Sequence, residues 1–447
     1  MTTSSLREIR LTAFKSFRGA VLPVDAITVL TGRNSAGKSN ALDGIEVLSR
    51  LATGEELADA LDGRRRESGQ VRGGSRGCAP HGATKFSLGC TVESGKSQFS
   101  LDFKIEIEPE LRLIEEVLIG PAPTLETGQV ERRNLLFSCE ATDTDAALNA
   151  EIYNGKRGPN PIMAFRDSRL LTSQLPLRIV PQNKADEAVV KAAQAVTAAL
   201  RGVFHLDPIP HLMREYVPER DTDLRRTGAN VSAAIARLRR EDEPVFDRVR
   251  RLVQQVGDER IRGISVIRSE LGDVMLALQE NPGRKSDLTP AREMSDGLLR
   301  FMAIATALLT SNRGLDIDPG LSTGGPRSGV LLVIEELENG LHPSQAGRVL
   351  ELIKEVSRDL STRVMLTTHS PALLNAMVGE LNQSVIVCYR DNESGLSRLS
   401  RLPVLPGYAD AMAAGRLGDV VSQGRMVGPE SRGSDYDKFN RLLGIDG

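Results

Sequence analysis

The sequence predicts an α/β sandwich in which buried parallel strands alternate with helices, and three stretches predict it. The first is residues 27–40, Ile-Thr-Val-Leu-Thr-Gly-Arg-Asn-Ser-Ala-Gly-Lys-Ser-Asn. A short β-branched run feeds the loop Gly32-x-x-x-x-Gly37-Lys38-Ser39, after which Leu42, Ile45, Leu48 and Leu51 recur at helical spacing. The second is the unbroken apolar run from Val330 to Ile334, as expected of a strand buried on both faces. The third is Val364 to Leu366, another apolar run, which ends in Thr367, Thr368 and His369. Such strands, separated by helical patterns, argue for a largely parallel sheet covered by helices.

Taken in order, residues 6–30 alternate apolar and polar (Leu6, Ile9, Leu11, Phe14, Phe17, Val21, Val24) and predict two short strands before the glycine loop. Residues 53–84 lose periodicity and gather Gly, Ser and the arginines Arg64, Arg65, Arg66, Arg72 and Arg76. They are expected to form a mobile basic loop, either solvated or laid against a phosphate backbone. Residues 85–119 alternate again, with Ser94-Gly95 as a hairpin turn, and predict an antiparallel layer. Residues 120–162, rich in Pro, Gly, Thr and Asn, read as an irregular linker. Three helical stripes follow, carried by Val189, Val196 and Leu200, by Val231, Ile235 and Leu238, and by Val245, Val249 and Val253. None sustains heptads, so no long coiled-coil arm is expected. Strands over 264–267 and 274–278, a buried helix over 298–309 and a loop over 311–329 come next. The chain then alternates strand 330–334, helix 343–356 and strands 363–368 and 385–389.

Composition narrows the function classes. The 447 residues suffice for two or three domains, and a net charge of −2 gives no global attraction to nucleic acid. The chain has no Trp and only 4% aromatic residues, which argues against an aromatic platform for single strands. Cys78, Cys90, Cys139 and Cys388 form no Cys-x-x-Cys pair and are expected to be free thiols in a reducing compartment, with no structural zinc. The first ten residues lack a signal-peptide core, and no apolar run approaches the ~18 residues of a membrane span. A cytoplasmic protein without a membrane partner is expected.

Four groups of residues carry chemistry. Glycines in the first loop let backbone N–H groups close on an anion at a helix N-terminus, so Arg33, Asn34, Ser35, Ala36, Gly37, Lys38, Ser39 and Asn40 are expected to cradle a nucleoside triphosphate. Lys38 would reach the β- and γ-phosphates, and Ser39 would hold Mg²⁺. Glu335 and Glu336, delivered at the end of an apolar strand, are assigned to the metal and to the attacking water, respectively. Ser295, with Asp296 and Gly297, opens the buried helix as an N-cap whose free N–H groups form an anion site. His369, at the end of its strand, can reach a γ-phosphate. Asn339 to Pro343 form a tight turn after the acidic pair, with Pro343 at the first helical position.

In this order the residues resemble the ATP-binding-cassette ATPases, a set that includes RecF, the SMC proteins and the OLD-family ATPases. GRNSAGKS resembles the Walker A motif, MSDGL the signature, VLLVIEE the Walker B, ENGLHP the D-loop and TTHSP the switch-histidine loop. The similarity is closest to bacterial AAA family ATPases of the OLD/RecF-like branch, whose opening resembles Leu11 to Ser16 (LTAFKS). It covers roughly 6–50, 205–310 and 330–425, with weaker similarity at 224–230 and 417–419. Met294 and Leu298 depart from the usual signature, Leu337 stands where Pro is common, and the glutamine loop is not placed; Gln174 stays outside the site.

The resemblance implies ATP and Mg²⁺ as cofactors, with catalytic roles for Glu336, Lys38 and His369. It also implies a homodimer or higher oligomer in which Ser295, Asp296 and Gly297 serve the partner's nucleotide. Residues 1–120 would form one ATPase lobe with the Walker A motif and the β-layer. Residues 121–260 would form a linker and helical insertion, and 261–447 the second lobe with the signature, Walker B, D-loop and switch histidine. The stretch after His369 is too short for the Toprim nuclease of many OLD proteins, and Asp435-Tyr436-Asp437 reads as a tail. Two functions follow as expectations. One is a nucleotide-dependent sensor or clamp that controls a separate nuclease or toxin effector in anti-phage defence. The other is a RecF-like repair ATPase acting on duplex DNA. The helical insert and the acidic turn do not fit a transporter subunit.

Overall fold

Alternation at the start of the chain produces β1 (Thr3–Phe14) and β2 (Phe17–Pro23), an antiparallel pair with Phe14 opposite Phe17 at the turn. The wholly buried β3 (Ile27–Thr31) follows, then α1 (Lys38–Ala52) and α2 (Leu57–Asp62). The computed structural model describes residues 3–63, 69–138, 147–257, 259–280, 288–317, 327–339, 343–358, 362–377, 380–406, 408–409 and 418.

The expected mobile basic loop is more ordered than its composition suggests. It holds α2 and a 3₁₀ turn, Arg76–Cys78. Arg72 donates to Asp43 of α1 at 2.8 Å, and Arg76 lies 3.3 Å from Glu108. Arg64, Arg65 and Arg66 lie outside the described residues.

The antiparallel layer runs through β4 (Lys85–Ser94), β5 (Ser97–Glu106), β6 (Arg112–Pro123), β7 (Val130–Ser138), β8 (Ala147–Ile152) and β9 (Ile162–Arg166). Ser94 pairs with Ser97 across a turn in which Gly95 has φ +60°. Residues 120–162, expected to be irregular, instead contain β7 and β8 and lead into β9. The first half of β7 is exposed and reads as a polar loop, yet its backbone pairs with β6 from Pro123↔Val130 to Val117↔Phe137. At the outer edge, α3 (Leu171–Arg178) covers β9. Gln174 bonds both the N–H and the C=O of Arg166, and Arg178 donates to the Ala164 carbonyl. These side chains occupy backbone groups that an open edge would offer to another strand. The role of Gln174 is therefore to close a sheet edge.

Asn183 caps α4 (Lys184–Arg201) by accepting from the Ala185 and Asp186 N–H groups, and the buried stripe of α4 packs on the antiparallel strands. Beyond it come β10 (Val203–Leu206), α5 (Pro210–Met213), β11 (Val217–Pro218), α6 (Val231–Glu241) and α7 (Glu243–Val256). The strands β12 (Gly263–Arg268), β13 (Asp273–Gln279) and β14 (Leu288–Pro290) make a small antiparallel sheet with β11. The chain continues with α8 (Asp296–Leu309), β15 (Arg327–Ser328), β16 (Val330–Ile334), α9 (Pro343–Val356), β17 (Thr362–Thr368), α10 (Pro371–Ala376), β18 (Val385–Arg390) and β19 (Ser397–Arg401).

One large mixed sheet links these elements in the order β10-β16-β17-β3-β18-β19-β2-β1-β4-β5-β6-β7-β8-β9, with β15 beside β1. The five strands from β10 to β18 are mutually parallel. Leu331 and Val333 of β16 enter one core with α1 and α4, whereas Val330, Leu332 and Ile334 enter another with α6, α7 and α8. Two-sided burial is why β16 is apolar throughout, at roughly 1.5–3 kcal/mol for each such side chain. The result is the expected α/β sandwich with an antiparallel layer.

Candidate functional site

Three parallel neighbours fix the site. Ile334 of β16 lies opposite Leu366 of β17, and Thr368 of β17 lies opposite Thr31 of β3. The loops leaving their C-terminal ends carry Glu335 and Glu336, His369, and the glycine loop. Open α/β sheets bind ligands at this end.

The glycine loop is shaped by close approach. Gly32 has φ +143°, and a Cβ there would sit 2.0 Å from the Cys388 carbonyl oxygen of β18. Gly37 has φ +119°, and its Cβ would meet Ser397 Oγ at 2.4 Å. The loop carbonyls are held from behind. Arg390 donates to Ser35 O at 3.2 Å, while Ser397 Oγ (2.6 Å) and Cys388 Sγ (3.3 Å) donate to Ala36 O. Backbone amides are then the loop's contribution to an anion, and no side chain caps the start of α1. Arg33, Asn34 and Ser35 form an exposed crest, with Ala36 and Gly37 buried beneath it.

The opening segment explains itself here. Ser16 Oγ accepts from Asn40 Nδ2 (2.8 Å) and lies 2.7 Å from Ser397 Oγ, and Lys15 Nζ lies 2.6 Å from Asp43 of α1. The amide of Asn40 thus braces the loop. Lys38 Nζ donates to Gly32 O at 2.6 Å and to Arg33 O at 3.1 Å. Burial lowers its pKa, against the opposing pull of Glu336 and Glu338.

Glu336 adopts φ +45°, a left-handed conformation that costs an L-residue roughly 1–2 kcal/mol. Its N–H donates to Thr367 Oγ1 at 2.8 Å, and its carboxylate accepts from Asn339. The bonds to Thr367 and Asn339 hold this strained backbone in place. Burial raises the pKa of Glu335; Asp207 and Asp43 push the same way, against Arg72 and Arg226. Among the described residues no group of three or more His, Cys, Asp or Glu is placed to hold a metal. The Ser39 hydroxyl and the Glu335 carboxylate, hard oxygen donors of the kind Mg²⁺ takes, would be the residues to hold that ion. When bound, the ion would neutralise charge on the phosphates.

Ser295 caps α8, its Oγ accepting from the Leu298 N–H at 3.3 Å. Arg214, just after α5, donates to Asp296 at 2.6 Å and to the Met294 carbonyl at 2.8 Å. Ser295 and Asp296 are exposed. Among the described residues, no hydrogen bond or ion pair joins residues 295–297 to the glycine loop of the same chain.

Sequence reasoning missed Arg214, which carries no local signal, and gave no role to Glu338, which accepts from the His369 N–H at 2.7 Å. It also missed a charge cluster centred on Glu46, which lies 2.6 Å from Arg50, 2.7 Å from Arg226 and 4.0 Å from the buried His205 of β10. Burial lowers the pKa of His205 to about 4. Burial works against charge on Glu46, but His205, Arg226 and Arg50 outweigh it and hold that pKa at about 2. The unfolded chain, with its histidine near 6.5, therefore takes up a proton before the folded chain does. The stability contribution of neutral His205 is complete above pH 6.5 and is lost as pH falls towards 4, by up to roughly 3 kcal/mol. Thermal unfolding should show a falling midpoint across that window, and His205→Leu should flatten it. An unchanged slope in the variant would place the titration elsewhere.

Residues 27–375, from β3 into α10, match the family described as "AAA domain, putative AbiEii toxin, Type IV TA system". The chain belongs to this family. Its AAA domain contains the glycine loop, the signature-like helix start, the acidic pair and the histidine, and the chain is an AAA-family protein with the nucleotide binding that this implies. Solved structures similar to the chain include three SMC heads. The "SMC head domain from Thermotoga maritima" shares 15% identity, covers 89% of this chain and 98% of that chain, and has a TM-score of 0.40. The "SmcHead bound to the C-winged helix domain of ScpA" shares 14%, covers 89% and 97%, and scores 0.45. The "Smc head domain with an extended coiled coil bound to the C-terminal domain of ScpA derived from Pyrococcus furiosus" shares 12%, covers 89% and 96%, and scores 0.39. No curated protein matches the chain. No helix among the described residues is long and apolar enough to cross a membrane.

Proposed function

We propose that this AAA-domain protein binds ATP with Mg²⁺ and hydrolyses it in a head-to-tail homodimer. Each nucleotide would lie between the glycine loop of one copy and residues 295–297 of the other. The observation that carries the reading is the register of β16, β17 and β3, which sets Glu336, His369 and Lys38 on adjacent loops at the C-terminal end of these strands. Lys38 would leave its two carbonyl partners for the β- and γ-phosphates, Glu336 would orient and deprotonate the attacking water, and His369 would contact the γ-phosphate. The exposed signature residues, unattached to their own glycine loop, suit a partner's nucleotide.

In the cytoplasm, the ATPase cycle would control a separate nuclease or toxin effector in anti-phage defence; the family description, with its toxin–antitoxin wording, supports that setting. The RecF-like reading on duplex DNA gains nothing from the described part of the basic loop, because Arg72 and Arg76 are engaged with Asp43 and Glu108.

Phosphate release from Mg²⁺-ATP tests the enzymatic reading: turnover is expected, and EDTA should abolish it. A folded dimer with no turnover would overturn it. Phage challenge of cells carrying the wild-type or Lys38→Ala chain tests the defence reading, with protection expected only from the wild type.

A further inference from the structure

Glu338 is the third acidic residue after β16, and none of the roles assigned above uses it. Its side chain is 18% exposed, and Oε1 accepts the backbone N–H of His369 at 2.7 Å. The same oxygen lies 3.4 Å from His369 Nδ1. Oε2 of Glu338 and Nδ1 of His369 are both buried without a hydrogen-bond partner among the described residues. Buried polar atoms left in this condition are costly, so the pair is poised for a bond it has not yet made. The loop geometry keeps it poised. Leu337 N donates to Thr367 O at 3.2 Å and Glu336 N to Thr367 Oγ1 at 2.8 Å, which ties the acidic turn to the end of β17.

We propose that Glu338 is the positioning residue of His369, holding its backbone and ring so that Nε2 faces the γ-phosphate. This rests on the ATPase reading above. A neutral imidazole has one N–H, whereas a carboxylate at Nδ1 and a phosphate oxygen at Nε2 are both acceptors. The ring donates to both acceptors only with an N–H on each nitrogen. The other charged groups gathered here are Lys38 and Glu336, with Lys38 electrostatically coupled to both carboxylates. Glu338 thus orients the histidine and supplies the counter-charge that lets it donate to phosphate.

Steady-state hydrolysis by full-length Glu338→Ala, Glu338→Gln, His369→Ala and the Glu338→Ala/His369→Ala pair tests this. Glu338→Ala should lower kcat by roughly tenfold to a hundredfold, as supporting partners of site residues do, with KM for ATP little changed. Glu338→Gln keeps an acceptor for the backbone N–H but not the charge, and should fall between Ala and wild type. The double variant should be no slower than His369→Ala alone, because both changes remove one unit. Multiplicative losses, a raised KM at unchanged kcat, or a wild-type rate in Glu338→Ala would each overturn the proposal. If Glu338→Ala fails to fold, Glu338→Gln at the wild-type kcat overturns the counter-charge role on its own. An inactive wild type fails the ATPase reading instead, and that outcome is separate.

Discussion

Glu336→Gln should bind ATP as the wild type does and lose hydrolysis by roughly the 10²–10⁴ typical of a general base. The change is nearly isosteric, so the left-handed backbone at φ +45° and the N–H bond to Thr367 Oγ1 remain available to it. What disappears is the proton acceptor for water. Lys38→Ala should behave differently. Lys38 Nζ caps two carbonyls of its own loop, and their exchange for phosphate oxygens is the step its loss removes. Binding of a fluorescent ATP analogue should fall below detection in Lys38→Ala and persist in Glu336→Gln. Hydrolysis at the wild-type rate by Glu336→Gln would show that another group activates the water.

Much of this site was legible because its signals are local. The glycine loop, the five-residue strand and the strand ending at His369 each advertise themselves within ten residues, and a parallel sheet is the arrangement that buries β16 on both faces. Residues 120–162 misled because composition outweighs weak alternation: the exposed half of β7 has no inward face, and its pairing with β6 is a backbone property. The basic loop misled for a different reason. Arg72 is polar by sequence, but Asp43, 29 residues away, takes its guanidinium, and nothing local announces the pair. Arg214 and Asp296 are 82 residues apart and meet only because α5 packs on α8. Glu338 stood in plain view, yet its role needed the register of β16 against β17, which sets the His369 N–H within 2.7 Å.

Mixing Lys38→Ala protein with Ser295→Arg protein should restore hydrolysis that neither shows alone. Ser295 is exposed at the N-terminus of α8, where helix N–H groups and the dipole favour an anion. An arginine there loses the cap to Leu298 and puts bulk and like charge at the positive end of the helix. Arg214 fixes the neighbouring Asp296, so the helix start has little room to move aside. In a heterodimer, the intact glycine loop of the Ser295→Arg chain meets the intact signature of the Lys38→Ala chain, and both defects fall in the other site. Random pairing makes half of the dimers mixed, each with one of two sites intact, so an equimolar mixture should recover about a quarter of the wild-type rate. Activity plotted against mixing ratio should peak at equality and vanish at both ends. A flat line at background, with both proteins folded by circular dichroism and dimeric by sedimentation, would mean that each chain completes its own site and that residues 295–297 serve another purpose.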